Sequence, residues 1–291
     1  MNKTLILRRD IDDGLTRSGN NYSASVYYRV DYNNILLRIL RKVRFSYFIG
    51  PFLGNWRKNL KQYHAIIMFD NGYHKVIARY IKRNNPNCKL ILWFWNPIFS
   101  ENKKYLGDKE VDEVWSYDKD DCRRYSLRYN TQFFNRKNIV SGNIIDYDIV
   151  FVGAEKGRKG KLDEAVSLIK KNGLSTKIIV PQNKSDYLSY EKYMELVSKS
   201  NSILEIMGAN ATGLTLRSLE SIFCEKKLIT DNSNIVDYDF YRPENIFIIG
   251  KDDPGRLKDF ISSPYKKINQ KIVDYYEFEN WIKRFEGKEQ K

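Results

Sequence analysis

Ser202-Ile-Leu-Glu-Ile-Met-Gly-Ala-Asn-Ala-Thr-Gly-Leu-Thr-Leu-Arg-Ser-Leu-Glu-Ser-Ile-Phe223, followed by Lys226-Lys-Leu-Ile-Thr-Asp-Asn232, is the stretch from which the fold of this chain is read. It reads as strand, glycine-bearing turn, helix and strand. The turn at Gly213 releases the backbone into a helix expected over 214–224, whose first amides, Leu214, Thr215 and Leu216, lack intrahelical partners. An anion placed there meets N–H donors and the positive end of the helix dipole. Glu220, seven residues after Gly213 on the same helix, is spaced to accept both hydroxyls of a ribose whose phosphates sit at the helix start. Diphosphate plus ribose means a nucleotide. The same residues also fit an ordinary amphipathic helix, with Leu216, Leu219 and Phe223 on its core face and Arg217–Glu220 as a surface pair.

Outward from this stretch, the carboxyl half alternates strand and helix. Asp148–Gly153 is an apolar run ending at glycine, and a helix pattern spans Leu162 to Lys171 before Gly173 stops it. Ser175–Pro181 reads as a strand, 186–199 as a helix, and Lys227–Thr230 and Ile246–Ile249 as two further strands. Such alternation calls for a parallel sheet with helices on both faces, whose ligands bind beyond the carboxyl ends of the strands. The loop Gly153-Ala-Glu-Lys-Gly-Arg-Lys-Gly-Lys161 lies at such an end. It offers glycines for close backbone approach and Arg158 for a bidentate grip on phosphate.

The amino half repeats the alternation. Thr4–Arg8, His64–Asp70, Lys89–Trp95 and Glu113–Tyr117 read as strands, with a helix from about Lys75 to Arg83. The turn residues Ser141-Gly142-Asn143 mark the junction. The expected organisation is an amino-terminal α/β domain over 1–142, a nucleotide-binding α/β domain over 143–270, and a carboxyl-terminal helix within 271–291. That helix, patterned from Val273 to Phe285 with Trp281, is expected to return to the amino-terminal domain. No Gly-x-Gly-x-x-Gly follows the first strand, which argues against a nicotinamide dehydrogenase.

Composition narrows the classes. The chain has 291 residues, enough for two domains, and 50 Lys plus Arg against 36 Asp plus Glu, a formal charge of +14 that favours an anionic partner. Cys88, Cys122 and Cys224 are isolated, as in a cytosolic protein with reduced thiols. The amino terminus has too short an apolar run for a signal peptide, and no segment is long enough to span a membrane. With only His64 and His74, a histidine metal site or a serine–histidine triad has little to work with.

The segment 202–232 resembles the donor-site helix of GT-B glycosyltransferases, the kind that build bacterial capsule and lipopolysaccharide chains. Leu219-Glu220 stands where that family often writes Leu-Glu-Ala, and Glu205, Gly213 and Glu220 match its acid, small-residue turn and second acid. The resemblance implies two Rossmann-like domains facing a central cleft. It also implies a nucleotide-sugar donor, UDP-linked, and a glycan or lipid-linked glycan as acceptor, with no cofactor and no metal. It places donor binding on Gly153, Arg158, Lys161, Glu205, Gly213, Leu214, Thr215, Arg217 and Glu220, with Arg158 and Lys161 neutralising the diphosphate. For the base on the acceptor hydroxyl, Asp12, Asp13 and Asp70 follow amino-domain strands; Asp13 and Asp70 are the choices. Asp146-Tyr-Asp148 and Asp237-Tyr-Asp239 mimic the Asp-x-Asp metal signature of the other glycosyltransferase fold, but neither is expected to hold metal.

Residues 32–69 contain no acid, yet carry Arg38, Arg41, Lys42, Arg44, Arg57, Lys58 and Lys61, interleaved with Phe45, Tyr47, Phe48, Phe52 and Trp56. Helical spacing of Ile35, Leu36, Ile39, Leu40 and Val43 precedes them. A peripheral site on the inner face of the cell membrane, against anionic lipid, is one reading. Alternatives are a solvated face over a core helix, or a non-catalytic α/β protein that binds nucleotide or nucleic acid through this patch; nucleic acid is the less favoured partner because no recognised module appears.

Overall fold

The computed structural model describes residues 3–9, 22–27, 34–43, 46–142, 144–208 and 212–287. Asp12, Asp13, Arg44, Phe45 and the 209–211 part of the Gly213 turn lie outside these residues. The chain divides into two compact units, Met1–Asn130 and Thr131–Lys291.

The first unit runs β1 (Lys3–Arg8), β2 (Tyr22–Ser25), α1 (Ile35–Val43), β3 (Tyr63–Phe69), α2 (Lys75–Asn84), β4 (Lys89–Phe94), α3 (Ser100–Lys103), β5 (Glu113–Ser116), α4 (Lys119–Tyr125) and β6 (Arg128–Tyr129). Its strands form one sheet in the order β2-β1-β3-β4-β5-β6, every pair parallel. The central strands are unbroken apolar runs because both faces are covered: Leu5–Leu7, Ile66–Phe69 and Leu90–Phe94 are all buried. Two strands escape the sequence reading. β2 is Tyr-Ser-Ala-Ser, too polar to announce itself, and β6 has two residues.

Within the basic segment the structure sorts the candidates. Leu37 and Leu40 are core, whereas Ile35, Leu36 and Ile39 are exposed. Arg41 is buried, so it is not a surface cation, and Trp56 is buried with its indole N–H donating to the Val26 carbonyl. Neither belongs to an external patch. Between α1 and β3 the chain forms short 3-10 turns at Gly50–Phe52 and Asn55–Gln62.

The second unit runs β7 (Tyr147–Val152), α5 (Lys159–Lys171), β8 (Thr176–Ile179), α6 (Tyr190–Ser198), β9 (Ser200–Glu205), α7 (Leu216–Phe223), β10 (Lys227–Thr230), β11 (Ile246–Ile248), α8 (Leu257–Ser262), α9 (Gln270–Tyr275) and α10 (Phe278–Phe285). The sheet order is β11-β10-β9-β7-β8, again all parallel. Period-two alternation along these strands makes two cores. Ile149, Phe151, Leu204, Ile229 and Phe247 face α5 and α8 through Leu162, Ile169, Leu257 and Ile261. Val150, Ile203, Leu228 and Ile246 face α6, α7 and α9 through Met194, Val197, Leu219, Ile222 and Val273. Each fully buried aliphatic or aromatic side chain contributes about 1.5–3 kcal/mol of transfer free energy.

The final helix pattern is not continuous. It breaks between α9 and α10, where the Phe134 amide donates to the Tyr276 carbonyl and the Phe278 amide to the Phe134 carbonyl, both at 2.9 Å. Trp281 is fully buried beside Phe133, 4.3 Å between ring centroids, inside the same unit. Among the described residues no helix is long and apolar enough to cross a membrane.

Candidate functional site

In the second sheet β8 and β9 flank β7 on opposite sides, so the chain reverses its winding direction between β7 and β9. At such a switch point the connecting loops diverge and leave a crevice at the strands' carboxyl ends, where α/β proteins bind ligands. Two arginines occupy it. The Arg158 guanidinium donates to the carbonyls of Ala154, just after β7, and of Ile206, just after β9. Arg217, in the first turn of α7, donates from Nη2 to the Val152 carbonyl at the end of β7. Each guanidinium carbon also lies 5.1 Å from the ring centroid of buried Phe151, an additional cation–π attraction.

Gly153 permits this arrangement. A Cβ at that position would lie 2.5 Å from Nη2 of Arg217 and 2.8 Å from Nη2 of Arg158. Two like charges therefore share a space that a single methyl group would fill. Lys156 adds a third, in a tight turn where Lys156 and Gly157 have φ of 46° and 70°. Burial and the two neighbouring guanidiniums push the Lys156 ammonium below its ordinary pKa. Burial first, then Arg217, pushes Arg158 down to about 10, which still leaves it protonated at neutral pH. Arg217 is half-buried, and its Nε has no hydrogen-bond partner. A buried unsatisfied donor on a cation costs free energy that an anion would recover.

Two carboxylates sit close by in sequence and are both sealed. Glu205, last residue of β9 and fully buried, accepts from the hydroxyls of Thr215, Ser218 (2.9 Å) and Thr230 (2.5 Å). These bonds tie the start of α7 to β9 and β10. Thr215 is also the helix N-cap, accepting from the Arg217 amide at 3.1 Å. The helix accordingly opens at Leu216, two residues later than expected, and Leu214 is a core residue. Gly213 is buried beside it.

Glu220 is 2 % exposed, and its oxygens accept from the hydroxyls of Tyr190 (2.9 Å) and Tyr193 (2.6 Å) of α6. It is no surface partner of Arg217. Desolvation raises its pKa, opposed by Tyr193, Arg217 and Tyr190. A ribose reaching this carboxylate would have to use its remaining lone pairs or displace the half-buried Tyr190 hydroxyl.

Lys161 is turned to Asp231, 3.0 Å away, with 63 % of its side chain exposed. Asp231, the residue after β10, also accepts from the Met207 amide at 2.6 Å and so pins the backbone leaving β9. Lys156 and Asp231 lie in the quoted stretches but are not singled out there as site residues, and Tyr190 and Tyr193 are not considered. Only Asp231 carried a usable signal, an acid directly following a strand on the carboxyl side of the sheet.

In the first unit the winding reverses between β1 and β3. Asp70 lies at the end of β3, 7 % exposed, and accepts from the Trp95 amide at 3.0 Å and from the Asn102 side chain at 3.3 Å. Burial raises its pKa. Asp13 lies outside the described residues. Among the described residues no group of three His, Cys, Asp or Glu side chains is placed to hold a metal ion.

Fold and site together define an α/β protein with two doubly wound parallel sheets, one of them carrying a pair of arginines at its switch point. No protein-family model matches the chain, and no curated protein matches it. Among solved structures it is similar to a glycosyltransferase from Rickettsia africae ESF-5, 10 % identical, with 98 % of this chain and 97 % of that chain covered and a TM-score of 0.50. At that identity the likeness is one of fold.

Proposed function

We propose that this protein is a GT-B-type glycosyltransferase that moves a sugar from a nucleotide-sugar to a glycan or lipid-linked glycan of the bacterial surface. The observation that carries the reading is the Arg158–Arg217 pair at the β7/β9 switch point, with its unpaired Nε and the glycine that makes room for it. In the transfer the bond from the anomeric carbon to the diphosphate oxygen breaks, and charge collects on the departing diphosphate. Fixed guanidiniums are worth most at that moment, because they are already oriented when the charge develops. The acceptor oxygen forms the new bond, and its proton passes to a base. Asp70 is the described candidate, since a carboxylate made more basic by burial is better matched to neutral pH.

A panel of nucleoside diphosphate sugars tested by thermal shift and then by release of nucleoside diphosphate, with EDTA present, tests the proposal. A ligand at a hundred times its dissociation constant stabilises by about 2.7 kcal/mol. Stabilisation with turnover that Arg158→Ala abolishes supports the transferase. Binding without turnover on any acceptor points to a nucleotide-binding protein, and no stabilisation by any nucleotide overturns the reading.

A further inference from the structure

Helix α1 presents an apolar face to solvent. Ile35, Leu36 and Ile39 are 74 %, 54 % and 51 % exposed, while Leu37, Leu40 and Arg41 on the opposite side are buried. At about 100° per residue, Ile35, Leu36 and Ile39 form one strip, and exposed Arg38 and Lys42 run along its edge. A few residues on, Tyr47 and Phe48 are 69 % and 65 % exposed. Arg83 of α2 holds that turn, donating to the Ser46 hydroxyl (2.8 Å) and carbonyl (3.0 Å) with its guanidinium 4.0 Å from the Tyr47 ring centroid. Large aliphatic side chains left in water in a group need a reason.

From this we infer that the outer face of α1, with the Tyr47–Phe48 turn, docks the protein on an anionic lipid surface. Residues 32–69 include no carboxylate, so the charges this segment puts beside the strip, Arg38 and Lys42, are attracted to acidic headgroups, and the aliphatic side chains are the kind that enter the acyl boundary. A second copy of the chain is a poorer occupant: facing strips would bring Arg38 and Lys42 against their like in a protein of formal charge +14. Nucleic acid would match the cations, but isoleucine and leucine provide no face on which bases stack. The buried Trp56 and Arg41 play no part in it. The inference stands apart from the donor site, since α1 belongs to the first unit and the arginine pair to the second.

The test is co-sedimentation of the full chain with vesicles of phosphatidylcholine alone or mixed with phosphatidylserine, at low and high salt. Three proteins are compared: wild type, Ile35→Ser/Leu36→Ser/Ile39→Ser and Arg38→Ser/Lys42→Ser. All five positions are exposed, so circular dichroism and melting should match wild type. Wild type is expected to sediment with anionic vesicles and release as salt rises. The aliphatic variant should lose about tenfold or more in partition even at low salt, because the buried apolar area is gone. The cation variant should bind both vesicle types equally weakly. Phe48→Trp provides a second reading, a blue shift of its emission on adding anionic vesicles. Equal wild-type binding to both vesicle types, unchanged partition of the aliphatic variant, or sedimentation without vesicles would overturn the inference; the last would favour self-association. Nucleotide stabilisation of the aliphatic variant should stay at the wild-type level, which separates failure here from failure of the donor-site proposal.

Discussion

Replacing Gly153 by alanine adds one methyl group at the point where Arg158 and Arg217 meet. The new carbon would lie 2.5 Å from one guanidinium nitrogen and 2.8 Å from the other, and ordinary contact begins near 3.4 Å. Both nitrogens must therefore retreat. Neither is free to do so, since the same nitrogens donate to the Val152 and Ala154 carbonyls, and a hydrogen bond stretched beyond about 3.5 Å is effectively lost. Without ligand the cost is partly offset, because the two like charges move apart. With a diphosphate bound there is no offset, and losing one charge-assisted bond costs about 1.5–3 kcal/mol, or roughly 10- to 150-fold in affinity. Isothermal titration with UDP, UMP and uridine measures this directly. The loss should be greatest for UDP and absent for uridine, which has no phosphate. Gly160→Ala is the matched control: nothing lies within 4 Å of a Cβ there, and in helix α5 alanine is favoured over glycine by about 1 kcal/mol. A folded Gly153→Ala protein that binds UDP as wild type does would refute the assignment of phosphate to the arginine pair.

Glu220→Ala should destabilise by about 2–4 kcal/mol in urea titration, because it removes the acceptor of the buried Tyr193 hydroxyl and of the half-buried Tyr190 hydroxyl and opens a cavity. Glu220→Gln tests the sign of the pH dependence. The folded pKa of Glu220 lies above its ordinary 4.5, so the folded state takes up the proton more readily, and this contribution to stability is lost as pH rises through the folded value. The glutamine variant should lack that decline, and a wild-type pH profile in the variant would exclude Glu220 as its source. Thr215→Val should cost about 1–2 kcal/mol by removing the N-cap of α7 and a donor to Glu205, and should weaken nucleotide binding further if the start of α7 contributes to the site. Asp231→Asn should weaken the Lys161 pair negligibly in stability, since that lysine is exposed, but should raise affinity for UDP by removing negative charge beside Arg158; lowered affinity would show that Asp231 acts through the Met207 backbone instead.

How far the sequence reached depends on what each element buries. The strands β3, β4 and β7 were legible because central parallel strands are covered on both faces and carry long apolar runs, and β9 and β10 by the shorter Ile-Leu and Leu-Ile cores that flank the glycine turn and helix. Their alternation with helices was enough for two parallel α/β units, and strand ends fix the side of the sheet on which ligands sit, so the Gly153 loop with Arg158 could be placed there without coordinates, whereas Arg217 entered only through the family resemblance. The two edge strands of the first sheet were not legible: β2 and β6 are short and polar, held by pairing to a neighbour and not by their own pattern. Nor was the break between α9 and α10, which exists because Phe134, some 140 residues earlier, pairs with the backbone there. The charged residues depended most on tertiary structure. Glu220 looked like an exposed acid and is sealed by two tyrosines of α6; Arg41 and Trp56 looked like surface groups and are buried. Apolar periodicity is a local property of the chain, whereas whether a charge is buried depends on partners that only the assembled fold brings within hydrogen-bonding distance.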